Sequence, residues 1–364
     1  MSAMHRIINF DSYKLKGKAR KVGFQRWRYV FSGYHSETGD KAFFFIELNI
    51  VNPLLSPEKV QCSEVNKLDF SLDTSIPILP IEPPAPHSYV AVKVGVFTDV
   101  DVVSFEKKYP TKDFVFTKKE IKVGNAFFYN GSILKGDMLT PKGVFTWNLN
   151  IEKKASFNPK KTGKGTYLAV SGARTLFSGE IIYKASSYVI TPAVSYGYID
   201  SNWGKGFPVP FFHMSCSHLR SDITGMTLPE SSFVVQGMNR GSFSLFTEIS
   251  LGLDSLIISI PKTSKKSSFD CVVSDDNIHW TVSASQGKYL IDIDVFCDVK
   301  KMFVRKYSCP ESSVEQMQVL AGTSGKGEIR IYQKAKKNLE LIEHATLEDV
   351  CCEYGAIENT LTDS

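Results

Sequence analysis

The sequence predicts an all-β protein, built from two antiparallel barrel or sandwich units packed together, with very little helix. Apolar and polar residues alternate along much of the 364-residue chain, as they do when successive strand side chains point to opposite faces. A helical period is hard to find, and we predict one short helix over residues 314–321. At ~100–200 residues per domain the length suggests about two domains, which we place at residues 1–190 and 191–364.

The strands are predicted from apolar runs bounded by turn residues. In the first half the runs are 42–50, 89–97, 126–134, 144–151 and 166–171. In the second half five runs separated by polar segments predict an antiparallel meander: 256–260, 269–273, 279–284, 289–297 and 302–305. Residues 74–87 contain five prolines, which cannot donate ladder hydrogen bonds, so we expect an extended connector there.

Composition excludes several classes of protein. With 25 Phe and 15 Tyr the chain has ample material for a core, so it is not disordered. No run reaches the ~18 apolar residues of a membrane helix, and no secretory signal is visible, so we expect a cytoplasmic protein. Seven cysteines and no CxxC pair indicate reduced thiols rather than disulfides or zinc. We predict no metal and no cofactor.

The net charge is +5, and part of the excess is local. Residues 14–28 carry seven basic and no acidic side chains, which is compatible with an arm that contacts phosphates. However, Lys14, Lys16, Lys18 and Arg20 recur at every second residue, which favours the wet face of an edge strand. We therefore expect no nucleic-acid partner and at most a transient contact with a membrane surface. The oligomeric state stays open.

The segment 197–219 reads GYIDSNWGKGFPVPFFHMSCSHL and combines tight turns with aromatic residues. Alternation over 211–218 predicts two faces: Phe212, Met214, Cys216 and His218 on one, and Phe211, His213, Ser215 and Ser217 on the other. Such a strand fits a wall that lines a partly polar pocket. The alternative is a solvent-exposed polar face, with Trp203 filling the end of a barrel.

This segment resembles the signature of the tocopherol cyclase family, approximately GYIExDWGxxFPxxxxWxQxNHF. The matching residues are Gly197, Tyr198, Ile199, Trp203, Gly204, Phe207, Pro208 and His218, with Asp200 in place of Glu. FQRWRY (24–29), AFFFIEL (42–48), GEIRIYQ (327–333) and LIEHATLEDVCCEYG (341–355) resemble the family's opening and closing strands, with Glu353 and Gly355 matching. The chain departs from the pattern at Asn202, His213, Ser215 and Ser217, which leaves the substrate and the reaction open.

The resemblance implies two lipocalin-like β units around an apolar cleft, related to carotenoid hydratase-type proteins. It also implies a hydrophobic ligand, isoprenoid or similar to a prenylated quinol, and an isomerase-type cyclisation in which an acid protonates a C=C bond. An apolar site can raise a carboxyl pKa for that task. The best donor is then Asp200, with Glu353 as a second acid.

His218 is expected to orient Asp200 or to donate the proton itself, and Trp203 to stabilise the cation. Phe211, His213, Ser215 and Ser217 are expected to bind the ligand, the last three at its polar headgroup. The competing interpretation is a non-catalytic carrier or sensor, in which Asp200 caps a turn and Trp203 and His218 belong to the core.

Overall fold

The computed structural model describes residues 11–55, 88–99, 101–163, 165–207, 211–238, 246–251, 256–260, 268–311, 316–335 and 338–357. These residues form antiparallel strands and short 3₁₀ turns at Gly17–Arg20, Thr111–Asp113 and Val299–Lys301. The predicted all-β fold is confirmed. The predicted connector at 74–87 lies outside the described residues.

The first sheet holds the strands that precede residue 205. They are β1 (Phe24–His35), β2 (Lys41–Val51), β3 (Tyr89–Phe97), β4 (Val102–Tyr109), β5 (Phe114–Phe116), β6 (Ile121–Val123), β7 (Phe127–Tyr129), β8 (Ile133–Thr140), β9 (Gly143–Gly163), β10 (Thr166–Tyr183), β11 (Ser186–Ile190) and β12 (Gly197–Gly204). Their order is β4-β3-β2-β1-β11-β10-β9-β8-β7-β6-β5, and β12 joins β1 to β10. The inner face encloses an aromatic-rich core that includes Trp27, Tyr29, Phe127, Trp147 and Phe177.

The second sheet holds the later strands. They are β13 (Phe211–Cys216), β14 (His218–Ser221), β15 (Ser232–Met238), β16 (Phe246–Leu251), β17 (Leu256–Ile260), β18 (Ser268–Val273), β19 (Asn277–Gln286), β20 (Tyr289–Asp298), β21 (Met302–Ser308), β22 (Gln316–Ala335) and β23 (Asn338–Ile357). Their order is β17-β16-β15-β13-β23-β22-β20-β19-β18, with β14 on β23 and β21 on β22. Phe212, Trp280 and Ile329 lie in its core.

Three sequence-based expectations differ from the structure. The meander holds only for β18, β19 and β20, because β17 pairs with β16, and β20 and β21 both pair with β22. The helix predicted over 314–321 is wrong for its described part, which lies in β22. There Met317, Val319 and Ala321 are buried while Gln318 and Leu320 are half-buried, a period of two. The predicted strand 211–218 is broken at Ser217.

The edge strand predicted for the basic run is also wrong. Residues 11–16 join no ladder, and Gly17, with a φ of +52°, opens a 3₁₀ turn. Side chains replace the ladder: the Lys14 backbone N–H donates to Gln25 Oε1 (2.7 Å), and Trp27 Nε1–H donates to the Asp11 carbonyl (2.8 Å). Leu15 is buried in the first core, so the alternation reflects a strap anchored by one apolar residue.

Strands β1, β2 and β3 are buried on both faces over most of their length. One face covers the first core, and the other contacts the second sheet. The boundary at residues 190 and 191 stays a prediction; β12, which follows it, pairs with β1 and β10. Within the described ranges no helix is long and apolar enough to cross a membrane.

Candidate functional site

A group of buried charges lies between the two sheets. On the first sheet these side chains alternate with core residues and therefore point outwards, towards the second sheet. We call the group the charge cluster; it consists of Arg26, Arg28, Glu47, Asp200, His213, Arg305, Tyr307 and Glu353. None of these residues is more than 4% exposed. Charges are almost never buried to this degree unless they are paired.

Arg28 is the centre of the charge cluster. It lies directly opposite Asp200 in the β1–β12 pairing, and its Nη2 donates to Asp200 Oδ2. Its Nη1 donates to Glu353 Oε1, on β23 of the second sheet. One guanidinium therefore links the two sheets through two carboxylates, which suits the fixed fork of an arginine.

Arg305 repeats this arrangement from the second sheet. Its Nη2 donates to the same Glu353 Oε1, and its Nη1 donates to Glu47 Oε1 on β2. The Tyr307 hydroxyl donates to Glu47 Oε2 at 2.8 Å, and Arg26 Nη1 donates to the Tyr307 oxygen at 3.4 Å. Three arginines thus face three carboxylates across the sheet interface.

These contacts set the protonation of Glu353. Burial alone would raise the pKa of its carboxyl group, but Arg28 and Arg305 outweigh burial and hold that pKa well below its ordinary value. Conversely, burial would lower the pKa of Arg28, and Asp200 and Glu353 raise it well above its ordinary value. Glu353 is therefore an ionised acceptor and a poor proton donor.

His213 is neutral in this environment. Burial, followed by the charge of Arg28, lowers its pKa to about 3. Nε2 lies 3.1 Å from Arg28 Nη2, and because a guanidinium can only donate, Nε2 must accept. The proton is then on Nδ1, which donates to Gln236 Oε1 at 3.3 Å, and Gln236 Nε2 donates to Asn202 Oδ1 at 3.1 Å. Ser215 Oγ lies 3.1 Å from the accepting Nε2.

Several polar atoms around the charge cluster are buried without a hydrogen-bond partner in the described part of the chain. They are Asp200 Oδ1, Glu353 Oε2, Asn202 Nδ2, the Nε atoms of Arg26, Arg28 and Arg305, the Tyr198 hydroxyl and both side-chain polar atoms of Asn49. A buried polar group without a partner costs about 1–3 kcal/mol. Such atoms are therefore where a ligand or a water molecule would gain most by binding.

An apolar surface lies beside the charge cluster in the same interface. We call it the inter-sheet apolar patch; its buried members include Val30, Phe45, Phe97, Phe157, Tyr198 and Val234, with Phe303 packed against them. The rings of Phe45 and Phe303 stack with centroids 5.3 Å apart. Tyr198 lies 5.4 Å from the ring of His213 and 5.4 Å from the Arg28 guanidinium. Polar and apolar surfaces thus meet at Tyr198.

The structure brings together four of the sequence-predicted site residues: Asp200, His213, Ser215 and Glu353. Ser217 is buried at the break after β13, where its carbonyl accepts from Arg174 at 3.0 Å. The Phe211 side chain lies outside the described part of the structure.

Trp203 and His218 are not brought to this group. Trp203 points to the opposite face of β12 from Asp200 and stacks on Tyr167 at 5.5 Å. His218 Nδ1–H donates to Asp349 Oδ2 at 2.8 Å, because an ionised carboxylate can only accept, and the His218 ring stacks on Tyr196 at 3.7 Å. Its expected role beside Asp200 therefore has no geometric support.

Sequence reasoning missed the basic half of the charge cluster. Arg26 and Arg28 were counted with the exposed basic run, although each is flanked by Trp27 or Tyr29 within FQRWRY. Glu47 and Lys93 stand inside otherwise apolar strands. A lone charge inside a strand that is apolar on both faces indicates a buried partner, and this signal was available.

Searches with protein-family models and of curated proteins give no match. Among solved structures the chain is similar to kievitone hydratase from Nectria haematococca, with a TM-score of 0.51 and 12% identity over 92% of this chain and 90% of that one. It is also similar to CghA, with a TM-score of 0.50 and 9% identity over 92% and 89%. These likenesses confirm the lipocalin-like fold and show no more than the fold. The tocopherol cyclase resemblance stays a prediction.

Proposed function

We propose that this chain binds a hydrophobic small molecule between its two sheets. The charge cluster would hold the polar group of the ligand, and the inter-sheet apolar patch its hydrocarbon part. The observation that carries the proposal is the set of unpartnered atoms Asp200 Oδ1, Glu353 Oε2 and Asn202 Nδ2, buried beside aromatic side chains. Binding sites typically combine an apolar lining with a few placed polar groups.

The free atoms indicate the chemistry of the ligand. Two carboxylate oxygens accept hydrogen bonds, so they call for a hydroxyl or phenol donor. Asn202 Nδ2 donates, so it calls for an oxygen acceptor. A phenol or quinol with an isoprenoid tail has both features, in agreement with the resemblance. A solved protein of this fold is named as a hydratase of kievitone.

Catalysis is a second candidate, as an acid-assisted cyclisation or isomerisation. The observation that favours it is that Asp200 Oδ1 is buried without a partner beside an apolar surface. Glu353 is a poor donor because both arginines stabilise its ionised form. Asp200 Oδ2 is already held in an ion pair with Arg28, so a carrier without turnover is better supported than an enzyme.

Native mass spectrometry of the purified full-length chain tests binding directly. We expect one hydrophobic molecule per chain, retained in the gas phase and identified after extraction. A prenylated quinol titrated into delipidated protein should quench tryptophan fluorescence saturably. Failure of both measurements would overturn the proposal.

Asp200→Asn separates the two candidates, with the exposed Asp275→Asn as its control. For a carrier, the variant should weaken binding of the quinol about tenfold, the size of a lost hydrogen bond to a charged group. For an enzyme, binding should survive and conversion of the quinol to a chromanol should disappear. Conversion that persists in Asp200→Asn would exclude Asp200 as the acid.

A further inference from the structure

A surface cleft of about 320 Å³ opens where β3 and β4 of the first sheet meet β21 of the second. We propose that this cleft binds an amphipathic anion, a carboxylate on an apolar chain. The cleft is distinct from the proposed ligand site but adjoins it, because Arg305 lines the cleft and also belongs to the charge cluster.

The charge of the cleft is the first support. Its lining contains four cationic side chains and one carboxylate: Lys93, Lys108, Arg305, Lys306 and Glu106. The excess of positive charge remains when the buried carboxylates that pair with Arg305 are also counted. The cleft and the charge cluster together hold six cations, counting Arg26 and Arg28, against four carboxylates, counting Glu47, Asp200 and Glu353. A cleft with this excess attracts anions.

Two of the four cationic side chains of the cleft are buried rather than exposed. Lys93 is 5% exposed; its Nζ donates to Glu106 Oε2 (2.6 Å) and to the Lys306 carbonyl (2.5 Å), and lies 4.0 Å above the Tyr307 ring. Arg305 is 4% exposed, and its Nε–H has no partner in the described chain. Both residues line the same cleft, and an ammonium and a guanidinium are the groups that bind a carboxylate most strongly.

The remaining lining selects the rest of the ligand. Phe45, Phe105 and Val304 give the cleft an apolar side, and Phe45 continues into the inter-sheet apolar patch. The volume is at the lower end of the ~300–1,000 Å³ of small-molecule sites. A carboxylate with a medium-length alkyl chain therefore fits both surfaces, whereas an inorganic anion would leave the apolar side empty.

Calorimetric titration of the full chain with decanoate, methyl decanoate and decylammonium tests the charge requirement. We expect decanoate to bind at one site, and the ester to bind about tenfold more weakly or worse, since it lacks the charge-assisted hydrogen bond. Decylammonium should not bind. Added salt should weaken decanoate binding, because part of the attraction comes from exposed lysines.

Two variants place the site. Lys93→Met should weaken decanoate binding about tenfold or more, and the exposed Lys108→Gln about twofold to fivefold. Lys122→Gln, on β6 and not among the residues that line the cleft, is the matched control and should leave binding unchanged. If Lys93→Met fails to fold, Lys108→Gln and the salt dependence still decide.

Equal binding of acid and ester, or decanoate binding unchanged in Lys108→Gln and Lys93→Met, would overturn the inference. If acid and ester bind equally and both weaken in Asp200→Asn, the proposed function stands and this inference fails. If no probe binds, this inference also fails, and the proposed function is decided by the co-purified molecule alone.

Discussion

Removal of the Glu353 carboxylate charge is the most direct perturbation of the sheet interface. Glu353→Gln keeps the size of the side chain but ends the ion pairs of Oε1 with both Arg28 and Arg305. Three arginines would then face two carboxylates, all of them buried. The matched control is Glu340→Gln, an exposed position on the same strand, β23.

The expected loss is about 3 kcal/mol in the free energy of unfolding. Removing one partner of a buried ion pair costs about 3–5 kcal/mol, because the other charge stays buried. We take the lower end, since the glutamine oxygen can still accept a hydrogen bond from an arginine and two other carboxylates remain. Against a typical stability of about 5–15 kcal/mol, this is a large effect.

The same substitution should change the dependence of stability on pH. The pKa of Glu353 is depressed in the folded protein, so its contribution is fully present above the unfolded pKa and is lost as pH falls through the folded value. Below about pH 4.5, the ordinary value for this group, the wild type should therefore lose more stability than Glu353→Gln.

Urea unfolding followed by tryptophan fluorescence, from pH 7 down to the acid limit of solubility, measures both effects. Glu340→Gln should match the wild type within about 0.5 kcal/mol. If Glu353→Gln is also within that margin at pH 7, or if its acid slope equals that of the wild type, the assignment of Glu353 as an ionised link between the sheets is wrong.

Three further predictions concern other parts of the structure. In ¹⁵N NMR spectra, His213 should stay neutral, with its proton on Nδ1, down to about pH 3. Because the unfolded imidazole takes up its proton near pH 6.5, the free energy of unfolding should fall as the pH drops below that value. A folded His213 that titrates near 6.5 would contradict the hydrogen-bond network around it. Gly95→Ala should lower the free energy of unfolding by about 1–3 kcal/mol, because the added Cβ would lie 1.9 Å from Phe45 Cε1. Gly206→Ala is the control and should leave the free energy of unfolding unchanged, because the nearest atom to its added Cβ is 4.0 Å away. Equal urea midpoints for the two variants would contradict this. Lys41 of β2 forms an ion pair with Asp349 of β23, Nζ to Oδ2 at 2.6 Å. Asp349→Asn should cost about 1–2 kcal/mol without strain, since Asn tolerates the φ of +57°, and an unchanged urea midpoint would show that this inter-sheet ion pair contributes nothing.

The strands could be predicted because alternation is a local property. Residues 89–97 are predicted and observed as one strand, and the two faces of β13 separate as alternation requires, with Phe212 and Met214 in the second core and His213 and Ser215 at the interface. The edge strand failed because alternation also arises in a strap held by a single buried leucine, Leu15.

The charge cluster could not be assembled from the sequence, because its contacts join residues far apart in the chain. Arg28 and Glu353 are separated by 325 positions, and Arg305 and Glu47 by 258. Asp200 was identified only through the resemblance. Its partner Arg28 follows from the register of β1 against β12, which no local pattern specifies. Alternation predicts which face of its strand a residue lies on, but it does not predict which residue of another strand lies beside it.

The charge cluster also determines how two separate fragments of this chain can reassociate. Arg28 and Asp200 pair within the first sheet, and Arg305 and Glu353 pair within the second. Glu47 of the first sheet accepts from Arg305 and Tyr307 of the second, so separating the halves leaves this buried carboxylate without these partners. If one sheet were shifted against the other by a single strand position, like charges would face each other. The resulting repulsion would destabilise the misaligned interface, which would not happen at an apolar interface. Halves of this chain produced separately and divided between β12 and β13 should therefore reassociate in one register only.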